Sequence, residues 1–138
     1  AFMGHKIFVN LPVSDLERSM KFWKKVGFTF NPQFTDATAA CLVFSDDIYA
    51  MLLTQAKFSE FTTKTIADTA TTAEALIALS TDSREEVDRI TEAAIAAGGL
   101  EPYPAKDHGF MLQRAFTDPD GHNWEVFHMD PSFVQPQT

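Results

Sequence analysis

Glu125 is the carboxylate whose surroundings point to chemistry. It lies in Phe116-Thr-Asp-Pro-Asp-Gly-His-Asn-Trp-Glu-Val-Phe127, four residues past the Asp118–Gly121 turn signal, in a run that is otherwise Trp, Val and Phe. A charge in such company is costly unless it has a partner, a ligand or water. Glu125 is therefore either part of a site, where it would serve as a general base, or a solvated residue on the outward face of a strand. Four histidines, His5, His108, His122 and His128, are the other obvious proton carriers. Strand side chains alternate faces, so His122 and His128, at odd offsets from 125, point away from the Glu125 face. His108, in Asp107-His108-Gly109, belongs to a loop that can swing over a site and is the candidate catalytic partner; its alternative is an ordinary surface histidine. Cys41, between Ala40 and Leu42, suits a buried, inert thiol. No nucleophile–base pair is evident.

The elements that must position Glu125 follow from turn chemistry. Pro119 presets φ for the second turn position and Gly121 accepts positive φ at its end, so the stretch reads as a β-hairpin. If Asp118 to Gly121 form a four-residue turn, Arg114 stands directly across from Glu125 and pairs with it. If Gly121 makes a bulge instead, the register slips by one and Ala115 takes that place. Both registers stay open in the sequence.

The rest of the chain carries a repeat. Lys6 to Val13 reads as a strand, and Ser14-Asp-Leu-Glu17 has the form of a capping box with Ser14 as the cap. Leu16, Met20, Trp23 and Val26 form a helical stripe that Gly27 stops. Strands follow at Phe28–Phe30, Ala39–Phe44 and Ile48–Thr54, with turns at Asn31-Pro32 and Ser45–Asp47. The same order recurs as Leu76–Ser80, a capping box at Ser83–Glu86, and a stripe of Val87, Ile90, Ala94 and Ala97 stopped by Gly98-Gly99. Leu100–Tyr103, Phe110–Thr117 and the strand to Phe127 complete it. Two β-α-β-β-β modules, about 5–54 and 74–130, are thus joined by a polar linker, 55–73, with Phe58, Phe61 and Ile66 as isolated anchors. Neither module holds enough core to stand alone, so the expectation is one domain made of two copies. Pro131–Thr138 reads as a loose tail.

Composition narrows the function. A net charge of −8 argues against nucleic acid as a partner. No apolar run approaches the roughly 18 residues of a membrane helix. Nor does the start read as a secretory leader, since residues 1–6 lead straight into a strand. A single cysteine fits a reducing cytoplasm.

In this order, Leu11-Pro-Val-Ser-Asp-Leu-Glu-Arg-Ser19 with Phe22-Trp23 and Val26-Gly-Phe28, and Asp118-Pro-Asp-Gly-His-Asn-Trp-Glu125, resemble the vicinal oxygen chelate superfamily. Its members include glyoxalase I, bleomycin-resistance proteins, fosfomycin-resistance enzymes and extradiol dioxygenases. The resemblance implies an α+β fold, with paired modules whose curved mixed sheets surround a cavity, and it implies a homodimer. In metal-dependent members four strand positions hold one divalent ion that polarises the substrate. Here those positions fall on Phe8, Met51, Leu76 and Glu125, and only the last offers a hard donor. His5 is out of phase with Phe8 and replaces it only if a bulge near the chain start shifts the register. The expectation is therefore a small-molecule binder or metal-independent enzyme without a resident cofactor. Its pocket would be lined by Phe8, Asn10, Tyr49, Met51, Leu76, Arg114 and Phe127, with Glu125 and His108 as candidate catalytic groups. The alternative is a metal-dependent lyase or ring-cleaving dioxygenase with a divalent ion in a non-standard site.

Overall fold

The computed structural model describes residues 4–133. The chain parts between Asp68 and Thr69 into two compact units.

The first unit begins with β1 (Ile7–Val13), α1 (Leu16–Val26) and β2 (Thr29–Asn31). A 3-10 turn over Pro32–Phe34 leads into β3 (Ala39–Val43) and β4 (Ile48–Thr54). The sheet order is β1-β4-β3-β2, with β1 parallel to β4 and the other pairs antiparallel. The helix cap is Asp15, whose carboxylate accepts the Arg18 N–H at 3.1 Å. Ser14, the residue expected to cap, instead accepts from the Arg18 guanidinium. Either side chain can cap; the chain turns one residue later than the capping-box pattern implied. Gly27, at φ 113°, closes α1 by donating to the Trp23 and Lys24 carbonyls, a left-handed stop that suits glycine. The helix covers β3 and β4. It buries Phe22, Trp23 and Val26, as the sheet buries Leu11, Ala40, Leu42, Ala50 and Leu52. The Trp23 ring meets Phe28 and Phe44.

A single helical turn, α2 (Gln55–Phe58), opens the linker. Phe61 does not anchor it: that ring is 70% exposed and carries the Lys57 ammonium 5.6 Å from its centre.

The second unit repeats the plan with β5 (Leu76–Ser80), α3 (Arg84–Ala96), β6 (Lys106–Asp107), β7 (Met111–Thr117) and β8 (Asn123–Met129). Its order, β5-β8-β7-β6, reproduces the first sheet. Ser83 caps α3 as expected, accepting the Glu86 N–H at 3.2 Å. The predicted strand at 100–103 is reduced to one bridge, Leu100 to Thr117, and the regular edge strand sits later, at β6. The end of the linker belongs to this unit, since the Thr69 hydroxyl donates to the Asp120 carbonyl. Of the expected tail, Phe133 stacks on Phe110 at 4.3 Å, and residues 134–138 lie outside the described residues. Among the described residues no helix is long and apolar enough to cross a membrane.

Candidate functional site

The hairpin that carries Glu125 takes the bulged register. Gly121, at φ 85°, donates to the Asp118 carbonyl, and the ladder starts at Thr117 opposite Asn123. Ala115 therefore faces Glu125, and Arg114 faces Val126. Buried groups lock the turn. One Asp118 oxygen accepts the backbone N–H groups of Asp120 and His122 at 3.0 and 3.1 Å, and the other accepts the Trp124 indole N–H at 3.1 Å. Burial raises the Asp118 carboxyl above the ordinary aspartate range, against the His122 charge and these hydrogen bonds, which lower it. His122 is buried on the opposite face from Glu125, its Nδ1 3.1 Å from Glu74. The His128 Nδ1 lies 2.9 Å from the Thr81 carbonyl oxygen.

Arg114 is therefore not the partner of Glu125. Its guanidinium reaches Glu101 at 2.9 Å, Asp88 at 3.0 Å and Glu92 at 2.6 Å, on the α3 side of the sheet. The one-residue slip moved it to the other face. Nor does His108 meet Glu125. It sits in the β6–β7 turn, its N–H donating to the Met111 carbonyl, while Glu125 faces Ala115. Four residues along β7 separate those two points by about 13 Å. His108 instead stacks beside Phe110 at 6.1 Å.

Two residues outside the expected pocket hold Glu125. The Tyr103 hydroxyl donates to Glu125 Oε2 at 3.0 Å. Gln113 Nε2 donates both to the Tyr103 oxygen at 3.0 Å and to Glu125 Oε2 at 3.3 Å. Burial raises the Tyr103 phenol above its ordinary range, helped by the Glu125 charge and opposed by the Gln113 bond. The Lys106 ammonium sits 4.5 Å from the Tyr103 ring centre. Gln113 was within reach of sequence reasoning, since it shares a face with Ala115 by alternation once the register is known. Tyr103 comes from an irregular loop and carried no periodic signal.

On β5, Ala78 lies beside Glu125, so the carboxylate stands between two alanines, Ala78 and Ala115. Leu76 beside Asn123 and Ser80 beside Phe127 form the adjoining rows. Leu76 is 66% exposed, and Phe127 is partly buried.

The corresponding face of the first unit is apolar. Phe8, 48% exposed, stacks on Tyr49 at 4.6 Å with the rings 8° from parallel. Asn10 lies beside Met51, and Cys41 lies on the other side of Met51. Tyr49 brings less polarity than expected, because its hydroxyl is spent on the Asp46 carbonyl at 2.7 Å. Cys41 is buried, and burial pushes its thiol up.

Unit by unit, the positions that the resemblance assigns to a divalent ion offer poor donors. Phe8 and Leu76 have no lone pair to give, Met51 offers only a thioether, and one oxygen of Glu125 already accepts two hydrogen bonds. No group of three or more His, Cys, Asp or Glu poised for a metal occurs among the described residues.

Duplicated β-α-β-β-β units of this order define a class of folds, and comparison with known proteins identifies it. Residues 7–126 match the Glyoxalase/Bleomycin resistance protein/Dioxygenase superfamily, and the chain belongs to it. Among solved structures it is similar to hypothetical protein SA1046 from S. aureus, at 25% identity and a TM-score of 0.74, over 92% of this chain and 95% of that one. A glyoxalase-related enzyme from Fulvimarina pelagi shares 23% identity with a TM-score of 0.74, over 91% and 88% of the two chains. A bleomycin resistance determinant encoded on transposon Tn5 shares 17% identity with a TM-score of 0.64, over 92% and 99%. No curated protein matches the chain.

Proposed function

We propose that the chain is a small-molecule-binding member of the superfamily that works without the four-ligand metal site, as a binder rather than a lyase or dioxygenase. Glu125 carries this proposal. It is the one hard donor among the four metal positions, its sheet neighbours are alanines, and Tyr103 and Gln113 already occupy one of its oxygens. Such a carboxylate, fixed among apolar side chains, has the make-up of a recognition group in a ligand pocket. The exposed Leu76 and Phe8 lie on the edge strands β5 and β1, and a second copy of the chain is the proposed cover for them. The free, buried Cys41 accords with a reducing cytoplasm.

The test is metal content of untagged protein, before and after loading with Mn²⁺, Fe²⁺, Ni²⁺ and Zn²⁺, followed by a thermal-shift screen of small organic compounds. The expected outcome is no stoichiometric ion and at least one stabilising compound. One equivalent of metal that disappears in Glu125→Gln would overturn the proposal. Light scattering across a concentration series tests the dimer.

A further inference from the structure

We infer that Glu125, Tyr103 and Gln113 form a recognition site for an organic cation that donates N–H hydrogen bonds: an amidinium, guanidinium or primary ammonium group on a compact body. The inference rests on the proposed binding function and names the class of ligand.

Charge balance points first to a cation. Five other carboxylates of this unit have a cationic partner at hand: Asp107 has Arg84, Glu86 has Arg89, and Asp88, Glu92 and Glu101 share Arg114. Glu125 is held by two neutral donors only, and among the described residues no Lys, Arg or His nitrogen lies within ion-pair distance of it. A partly buried carboxylate without a counter-charge gains from any cation that can reach it, because both its Coulomb and hydrogen-bond terms are strengthened away from bulk water. Lys106 does not fill that role. Its ammonium lies over the Tyr103 ring, 4.5 Å from the ring centre, and makes no ion pair with the carboxylate.

Hydrogen-bond polarity points the same way. One Gln113 N–H is shared between the Tyr103 oxygen and Glu125 Oε2, which lie too close together for two diverging N–H groups to serve them separately, and the Tyr103 proton is spent on Glu125. What the trio leaves for a ligand is two acceptors, Glu125 Oε1 and the Gln113 carbonyl oxygen, against one donor, the second Gln113 N–H. An incoming carboxylate meets one N–H and the like charge of Glu125, whereas paired N–H donors find two acceptors. The flanking alanines leave room for such a group. Ala78 and Ala115 lie one strand to either side of Glu125, a floor of about 10 Å across two strand spacings. The row on one side holds Leu76 with Asn123 and the row on the other Phe127 with Ser80, so each offers one apolar side chain to the body of the ligand. Tyr103 and Gln113 act as positioning residues, fixing the carboxylate so that little side-chain freedom is lost on binding.

Benzamidine, benzamide and benzoate share one shape and differ in charge, and their binding to the full chain by calorimetry is the test. Benzamidine should bind about tenfold to a hundredfold more tightly than benzamide, the range of one charge-assisted hydrogen-bonded contact, and benzoate should not bind. Glu125→Gln should bring benzamidine down to the level of benzamide. Tyr103→Phe and Gln113→Leu should each shrink the amidine-over-amide ratio about threefold to tenfold while the melting temperature stays near wild type, a change that loss of packing alone does not produce. Benzamide or benzoate binding as well as benzamidine, no benzamidine binding at all, or a preference that survives Glu125→Gln would overturn the inference. If neutral compounds bind and benzamidine does not, the cation class falls while the binding function stands. A stoichiometric metal on Glu125 would remove both.

Discussion

Replacing Asp118 by alanine should destabilise the second unit through hydrogen bonds rather than through lost volume. The carboxylate is 6% exposed and accepts three hydrogen bonds, two of them from the buried residues His122 and Trp124. Each buried donor left without an acceptor costs about 1–3 kcal/mol. The Asp120 N–H is only partly buried and can turn to water. Part of the loss is returned, because ionised Asp118 bears a desolvation penalty, visible in its raised pKa. The net expectation is a loss of about 2–4 kcal/mol, or roughly 10 °C in Tm for a chain of this size. Asp118→Asn keeps one acceptor oxygen for the two turn amides but turns an NH₂ toward the indole N–H, so it should fall between wild type and alanine. Thermal melts by circular dichroism, with urea unfolding followed by Trp fluorescence, measure both. A drop of under about 3 °C for Asp118→Ala, or an asparagine variant worse than alanine, would refute the assignment of these donors.

Three further outcomes can be checked with the same instruments. Gly121→Ala should cost about 3 kcal/mol or more: φ is 85°, and the new Cβ would lie 2.5 Å from the Thr69 carbonyl oxygen. A near-native melt would show that the turn takes another path. Arg114→Ala should lose about 1–2 kcal/mol, less in high salt, because two of its three carboxylate partners, Asp88 and Glu92, are largely exposed although the guanidinium is only 11% exposed. Arg114→Lys should recover little of it, since one ammonium cannot reproduce the fork; full recovery would refute the geometry. Asp118 should also give an inverted pH signature. Its folded-state pKa is raised, so its contribution is present below the unfolded value near 3.8 and is lost as pH rises through the folded value. The Tm advantage of wild type over Asp118→Asn should therefore shrink as pH rises from about 3.5 to neutrality. Asp36, Asp107 and Asp130, held low chiefly by hydrogen bonds, act in the opposite sense and lose their contribution as pH falls below about 4. An advantage that grows with pH would contradict the Asp118 assignment.

Local patterns made much of the fold legible. The Ser83 cap, the Gly27 stop, the strand at Ile48–Thr54 and the module order each follow from signals only a few residues long. The hairpin register was not decidable, because a turn ending in Gly121 accommodates both alternatives and only long-range packing selects one. That single choice placed Arg114 on the wrong face and hid Gln113. Tyr103 was invisible for a different reason: it reaches Glu125 from a segment without regular structure, where no periodicity links position to face. The motif Asp118–Glu125 reads as chemistry in the sequence, yet Asp118, His122 and Trp124 are occupied in holding the turn, and Glu125 lies with Asn123 on the other face.

The internal duplication gives each site position a twin inside the same chain. Met51 and Glu125 occupy matching places in matching sheets, with Asn10 and Ala78 on one side and Cys41 and Ala115 on the other. One copy presents a thioether at that place, and the other a carboxylate with the two donors that hold it. The same backbone address thus tolerates a thioether and an anion, and what differs between them is a handful of neighbours. Such a chain carries its own internal comparison: an altered specificity can be explored in one half while the other preserves the scaffold, and grafting Glu, Gln and Tyr onto the Met51 surface would ask whether those few neighbours suffice.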